Sequence, residues 1–409
     1  MVYQPPVGAR DLFPLDVAQK RWIEEHIQDV FHRWGYHRII TSTLERLETL
    51  MAGGAVEPAT VIQLQDLEGE LLGLRPELTA SIARAAVTRM AGVPYPQRLY
   101  YNANVFRRAE QGSHNRQQEF YQAGVELLGA GGVAADAEIL LLLTDCLKNI
   151  QLQDCHLILG DAGLTRSLLS AFPDAIRNQV REAIATLDRM GLETLPLSNE
   201  LRQRALTLLD LRGKPADVLQ QVSSLDLEPA QRETVNNLKS LLELLQASQN
   251  QEDSNRLSII LDLSLIQTFD YYTGIVFEVV SGSAAGRRVL GQGGRYDQLL
   301  RLYHPEGDTC PGIGFCLNIE DLHQVLLTTE QLPAQTPAID CLVVATTPEA
   351  YAAAFTQAKQ LRATDRLVRV EVELGDRTAA ETRHYAQKRR IQQIIWIGAD
   401  GESQVEEMK

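Results

Sequence analysis

Apolar residues fall at helical spacing early in the chain. Ile23, Ile27, Val30, Phe31 and Trp34 share one face, which predicts a helix from about Asp16 to Trp34, stopped by Gly35. A strand from Tyr36 to about Leu44 follows, then two short strands around a Glu68-Gly-Glu turn and a helix from about Glu77 to Met90. Strands at Arg98–Arg107 and Glu119–Leu128, a helix from about Ala134 to Asn149 and a strand at Cys155–Leu159 complete this block. From about Gly163 to Asn255 leucines recur at helical spacing and strand patterns disappear, which predicts an all-helical insertion. Strands return at about Leu257–Leu263, Tyr272–Val280, Arg288–Leu290 and Gly312–Leu317. A linker at Thr328–Pro337 leads to strand Ile339–Ala345, helix Pro348–Ala363, strand Leu367–Val372, helix Thr378–Arg389 and strand Gln393–Ile397, a small three-stranded βαβαβ domain. Strands in antiparallel-looking runs, flanked by helices, argue for an α+β fold over a doubly wound one.

A chain of 409 residues has room for two or three domains. The apolar run Ile139–Leu143 is far short of the roughly 18 residues that suggest a membrane span. No basic-then-apolar leader opens the chain, so the expectation is a cytoplasmic protein. The five cysteines show no CxxC spacing and read as reduced thiols. The eight histidines form no HxxxH or HxxEH pair, so no metal site is expected. A formal net charge of −14 disfavours broad nonspecific binding to nucleic acid, which depends on neutralising phosphates.

Within the strand Phe120-Tyr-Gln-Ala-Gly-Val-Glu126, alternation puts Gln122, Gly124 and Glu126 on one face. Tyr121, Ala123, Val125 and Leu127 take the other, apolar face, which should meet the core. The first face offers an amide, a gap and a carboxylate, suited to a small cationic or amine ligand; it reads equally as a solvated polar face. Glu77 and Thr79 open a helix, where an acid also favours the helix dipole. Asp270-Tyr-Tyr-Thr-Gly sets two aromatics with hydroxyl tips beside a carboxylate, and reads equally as an ordinary strand start. Gly291-Gln-Gly-Gly-Arg-Tyr-Asp297 reads as a glycine-rich turn.

The order of these segments resolves the ambiguity. Val7-Gly-Ala-Arg-Asp11, Leu74-Arg-Pro-Glu-Leu-Thr79, Val105-Phe-Arg-Arg108, Phe120–Glu126, Phe269-Asp-Tyr-Tyr-Thr-Gly274, Gly293-Gly-Arg-Tyr-Asp297 and Gly312-Ile-Gly-Phe315 occur in the order seen in histidyl-tRNA synthetases, which the chain resembles. The resemblance implies a class II aminoacyl-tRNA synthetase-like antiparallel sheet flanked by helices, usually a dimer, over residues 1–327, with the helical insertion at about 163–255. It also implies a shortened anticodon-binding-like α/β domain over 338–409. In that family histidine is held at positions that here read Glu77, Thr79, Gln122, Glu126, Tyr271 and Tyr272. Ser42 stands where the family usually has proline in its dimer motif.

On the nucleotide side the pattern departs. The family's first phosphate-gripping arginine is Gln267 here and its second is Asp321, while Arg107 keeps the third cation position. The loop Arg108–Arg116 also leaves the family pattern. Losing one transition-state donor typically costs about 10²–10³-fold in rate, so these vestigial positions make adenylation improbable.

A synthetase-like body with a kept histidine pocket is similar to the paralogous regulatory subunits of ATP phosphoribosyltransferase. That similarity implies a non-catalytic protein without cofactors. It would partner a short-form ATP phosphoribosyltransferase catalytic subunit in the first step of histidine biosynthesis and take L-histidine as an allosteric ligand. It would self-associate as a dimer and bind neither tRNA nor membrane. The C-terminal domain is a departure from much of that paralogue family, either a remnant packed on the body or a contact within the hetero-oligomer. The runner-up is a divergent histidyl-tRNA synthetase ligating histidine to tRNA with ATP. A third reading is a regulator that binds tRNA-like RNA without chemistry.

Overall fold

The computed structural model describes residues 3–52, 56, 58–108, 117–248, 257–265, 271–282, 287–364 and 366–408. The described residues fall into two compact units, Met1–Pro333 and Ala334–Lys409.

Helix α1 (Pro14–Arg33) starts at a proline whose missing N–H is no loss in a first turn, and Asp16 accepts the Phe13 N–H. It ends where Gly35 takes φ +76°. Its buried face carries Ile23, Ile27, Val30 and Phe31, each contributing roughly 1.5–3 kcal/mol by leaving water. The strand expected from Tyr36 to Leu44 is mostly absent. Only β1 (His37–Arg38) pairs, parallel to Leu99–Tyr100. Beyond it, the carbonyls of Thr41 and Ser42 accept hydrogen bonds from the buried Arg75 guanidinium, so the backbone finds its partner in a side chain.

Strand β2 (Leu44–Arg46), helix α2 (Leu47–Met51) and strands β3 (Ile62–Gln65) and β4 (Leu71–Leu74) form a small antiparallel subsheet ordered β2-β4-β3. Helix α3 (Thr79–Val87) begins two residues later than expected, because the Glu77 carboxylate stays outside it and accepts the Thr79 and Ala80 N–H groups. Strands β5 (Gln97–Phe106) and β6 (Glu119–Leu128) pair antiparallel along their whole length. Helix α4 (Gly132–Asn149) and strand β7 (Cys155–Asp161) complete the block.

The insertion holds α5 (Ala162–Leu169), α6 (Asp174–Ala185), α7 (Arg189–Thr194), α8 (Asn199–Asp210), α9 (Pro215–Ser223) and α10 (Pro229–Ser248). It is not wholly helical: β8 (Arg212–Gly213) pairs antiparallel with β9 (Ser258–Asp262), and two residues are too few to show alternation in a sequence. Strands β10 (Ile275–Ser281), β11 (Arg288–Arg295) and β12 (Gly312–Asn318) then lead into helix α11 (Ile319–Leu326). The glycine-rich segment 291–294, expected as a turn, continues β11 instead. A side chain on Gly293 would press on the Gly314 carbonyl and Phe277, so glycine permits close strand packing there.

Among the described residues nine strands form one sheet, ordered β1-β5-β6-β12-β11-β10-β7-β9-β8. It is antiparallel except at β1–β5 and β7–β9, a mixed sheet flanked by helices in keeping with the expected α+β class II fold. One face packs Ala123, Val125, Leu127 and Phe315 against α1, α4 and the insertion helices. The other meets Leu78, Ile82, Tyr101, Tyr272 and Tyr296 in a second core.

In the second unit β13 (Cys341–Ala345), α12 (Tyr351–Arg362), β14 (Val370–Val372), α13 (Ala379–Lys388) and β15 (Gln393–Ile397) follow the expected order. A fourth strand, β16 (Ser403–Glu407), extends the sheet antiparallel to β15. Ser-Gln-Val-Glu-Glu has one apolar residue and lies at a sheet edge, so no buried face marks it in the sequence. Among the described residues no helix is long and apolar enough to cross a membrane.

Candidate functional site

The register of four antiparallel pairings lines up two rows across the sheet. One runs Glu126, Gly314, Gly294, Val276, Gly160, and the next Gly124, Cys316, Gln292, Glu278, Ile158. The first row sets one carboxylate beside three glycines and a valine, and the glycines let the Glu126 carboxylate lie over Gly314 and the Tyr272 ring over Gly294. A Cβ on Gly314 would collide with Glu126 Oε2, and one on Gly124 with the Tyr101 hydroxyl.

Above this floor three of the expected residues form one hydrogen-bonded unit. Thr79 Oγ1 donates to Glu126 Oε1 at 2.7 Å, and the Thr79 and Ala80 amides donate to Glu77. Tyr296 donates its hydroxyl to Glu126 Oε2. Glu77 and Glu126 are 5% and 1% exposed, so the reading of a solvated polar face is overturned. The apolar face, Ala123, Val125 and Leu127, meets the core as expected.

Burial sets the electrostatics. It raises the Glu126 carboxyl to about 8, against the pull of the Tyr296 and Thr79 hydrogen bonds, with the nearby Glu77 charge raising it further. Burial likewise raises Glu77, opposed by the amides of Ala80 and Thr79 and by the Arg107 charge. The Tyr271 and Tyr272 hydroxyls are held neutral by desolvation, their rings 4.7 Å apart, and Tyr271 meets Tyr296 edge-on at 5.9 Å. Gln122 lies on the same sheet face two residues before Gly124 and donates to Asn318 Oδ1 at 3.0 Å.

Tyr101, Tyr296, Cys316 and Asn318 also build the site, though pattern reasoning did not single them out. Tyr296 and Cys316 lie inside or beside quoted motifs, yet only the register shows that they face Glu126. Burial lifts the Cys316 thiol to about 11, with Arg107 pulling it down, so it is neutral at physiological pH.

On the nucleotide side, Arg107 donates from Nε to the Pro76 carbonyl at 2.9 Å and lies over Phe120. Asp321 occupies the first turn of α11, and Arg288 donates to it at 3.2 Å from the start of β11. The Asp321 charge is therefore compensated by Arg288. Gln267, Asp270 and the loop 109–116 lie outside the described residues.

Two buried carboxylates, tyrosine hydroxyls and an amide around a glycine floor suit a small ligand bearing an ammonium or N–H donors. Among the described residues no Lys, Arg or His nitrogen stands at ion-pair distance from Glu77 or Glu126.

Comparison with known proteins follows the same lines. A family model described as histidyl-tRNA synthetase matches residues 8–322. The ATP phosphoribosyltransferase regulatory subunit of Nostoc sp. (strain PCC 7120 / SAG 25.82 / UTEX 2576) is 65% identical over 408 residues, covering 100% of both chains. That of Gloeothece citriformis (strain PCC 7424) is 60% identical over 99% of each. The C-terminal unit is thus shared with these relatives and is not a departure peculiar to this chain. A solved ATP phosphoribosyltransferase regulatory subunit/histidyl-tRNA synthetase from Bacillus halodurans C superposes with a TM-score of 0.80 at 27% identity, covering 97% of this chain and 99% of that one. Histidyl-tRNA synthetase from Nostoc sp. PCC 7120, at 20% identity and a TM-score of 0.77 over 99% of this chain and 97% of its own, shares the fold.

Proposed function

This chain belongs to the family of ATP phosphoribosyltransferase regulatory subunits, built on the histidyl-tRNA synthetase-like class II fold, and we propose that it acts as the non-catalytic, histidine-sensing partner of a short catalytic subunit. In this reading the short subunit is active only in the complex, in the first step of histidine biosynthesis in the cytoplasm. L-histidine occupies the pocket of Glu77, Thr79, Gln122, Glu126, Tyr271 and Tyr272 and shifts the equilibrium of the hetero-oligomer toward its inhibited state.

The observation that carries the reading is the contrast between two halves of one site. The amino-acid half keeps its linked carboxylates, Glu77 and Glu126, joined through Thr79. The nucleotide half has Asp321 where the resemblance to histidyl-tRNA synthetases implies a cation, and Arg288 pairs with it. A carboxylate at that position cannot grip a triphosphate, so binding energy is available for histidine without activation.

Two further features support the partner assignments. Ile40, Leu44, Leu64 and Leu71 are exposed apolar residues on and beside the small subsheet, as a self-association face requires. In the C-terminal unit Arg377, Arg383 and Arg389 are each paired with a glutamate (Glu373, Glu406 and Glu371), which reduces the free positive charge available to tRNA phosphates.

The test is to purify the chain with and without a short phosphoribosyltransferase subunit and assay each alone and together. Activity only in the mixture, inhibited by histidine, is expected. Histidine-dependent ATP–pyrophosphate exchange by this chain alone would instead establish a synthetase. Glu126→Ala should weaken histidine binding in calorimetry; an unchanged affinity removes the pocket assignment.

A further inference from the structure

Among the described residues the other buried acids are matched to a positive or helical partner. Glu45 pairs with Arg84, Asp136 with Arg295, Asp262 with Arg212 and Glu373 with Arg377. Asp161 caps α5 through the Leu164 amide. Glu77 and Glu126 differ: both are buried, are joined through Thr79, and among the described residues have no cation at ion-pair distance. Two ionised carboxylates buried together without a counter-charge repel, which favours a proton on one of them.

We propose that the Glu77–Thr79–Glu126 unit holds one proton while the pocket is empty and releases it to solvent when a ligand's ammonium group enters, so that histidine sensing is proton-linked. The carboxylate pair is then offset by one positive charge before and after: a proton leaves as the ammonium arrives. This rests on histidine being the ligand of the pocket.

The surrounding groups fit a proton on this unit. Toward Glu126 face the hydroxyls of Thr79 and Tyr296, which donate to it, and Tyr101, Tyr271, Tyr272 and Cys316, each kept neutral by burial. The one cation acting on the pair from the described elements is Arg107, at the end of β5, whose Nε is committed to the Pro76 carbonyl. Geometry puts the proton on Glu126: Glu77 accepts two backbone amides, which favour its charged form, whereas Glu126 accepts only hydroxyls, which can reverse direction.

The experiment titrates L-histidine into the full-length protein by calorimetry at pH 7 in phosphate and in Tris, whose ionisation enthalpies differ. The expected result is close to one proton released per histidine, with affinity rising up to about ten-fold per pH unit from pH 6.5 toward 8 and levelling above it. The amine-free analogue 3-(imidazol-4-yl)propionate should release no proton. Infrared spectra of the ligand-free protein should show a protonated-carboxyl band that histidine or Glu126→Gln removes. Heats independent of buffer, or no such band, overturn the proposal while leaving histidine as the ligand. No histidine heat in either buffer overturns the histidine reading itself, and with it the ligand-driven release.

Discussion

Replacing Gly314 by alanine puts a methyl group on the floor of the Glu77–Glu126 pocket. The built Cβ lies inside 3.0 Å of Glu126 Oε2, Glu126 Cδ and the Val125 carbonyl oxygen. The carbonyl belongs to β6, clamped between β5 and β12, and cannot retreat without disturbing both ladders. The carboxylate can swing away, but only by giving up the Tyr296 hydroxyl. Overpacking of this kind costs about 1–3 kcal/mol, and a lost hydrogen bond about 0.5–1.5 kcal/mol more. The expected destabilisation is therefore about 2–4 kcal/mol, read as a lower urea midpoint by circular dichroism. Histidine affinity should fall by ten-fold or more, because Glu126 no longer points at the ligand. Gly92→Ala is the control: a Cβ there meets nothing within 4 Å, and the change should stay within about ±0.5 kcal/mol. If Gly314→Ala matches that control in stability and binds histidine normally, the floor is not where the ligand sits.

Glu126→Gln should change the pH dependence of stability. The folded carboxyl is raised to about 8, above its ordinary value, so the unfolded chain loses this proton first and the native protein loses stability as pH rises toward 8. The variant should gain on wild type between pH 5 and 8, by at most about 1.4 kcal/mol per pH unit; a pH-independent difference in urea midpoint refutes this. Arg295→Ala strands the buried Asp136 and should cost about 3–5 kcal/mol in the same assay, an effect Asp136→Asn in the same chain should partly relieve. Asp321→Asn breaks a half-exposed pair with Arg288 and should cost under about 1 kcal/mol. Neither it nor Asp321→Arg nor Gln267→Arg alone should create ATP–pyrophosphate exchange, and exchange in any one of them would show that a single lost cation was the whole barrier.

What was legible in the sequence was whatever depends on neighbours along the chain. Period-two alternation in Phe120–Glu126 separated the face of Gln122, Gly124 and Glu126 from the core face, and helical spacing placed Ile23, Ile27, Val30 and Phe31 inward. The letters at 267 and 321 stood out only as departures from the resembled family's pattern. Local pattern failed where the backbone is satisfied from a distance. The segment after β1 leaves the sheet because Arg75 donates hydrogen bonds to its carbonyls, and β16 joins an edge with almost no apolar signal. The glycines of 291–294 read as a turn because glycine tolerates both turns and tight strand contacts, and only the facing strand decides between them.

The tertiary structure alone decided the electrostatics of the site. Residues 77, 126 and 296 are far apart in the chain, and strand register brings their side chains together. Whether Glu126 is solvated or buried follows from β12 pairing beside β6 and from the start of α3 reaching it through Thr79, and that burial raises its pKa. Asp321 shows the same division. Its identity was plain in the sequence, but its neutralisation by Arg288 exists only because β11 and α11 meet. Residue types and their local spacing are properties of the chain; dielectric environment and counter-charge are properties of the packed molecule, since both depend on atoms that the sequence does not place side by side.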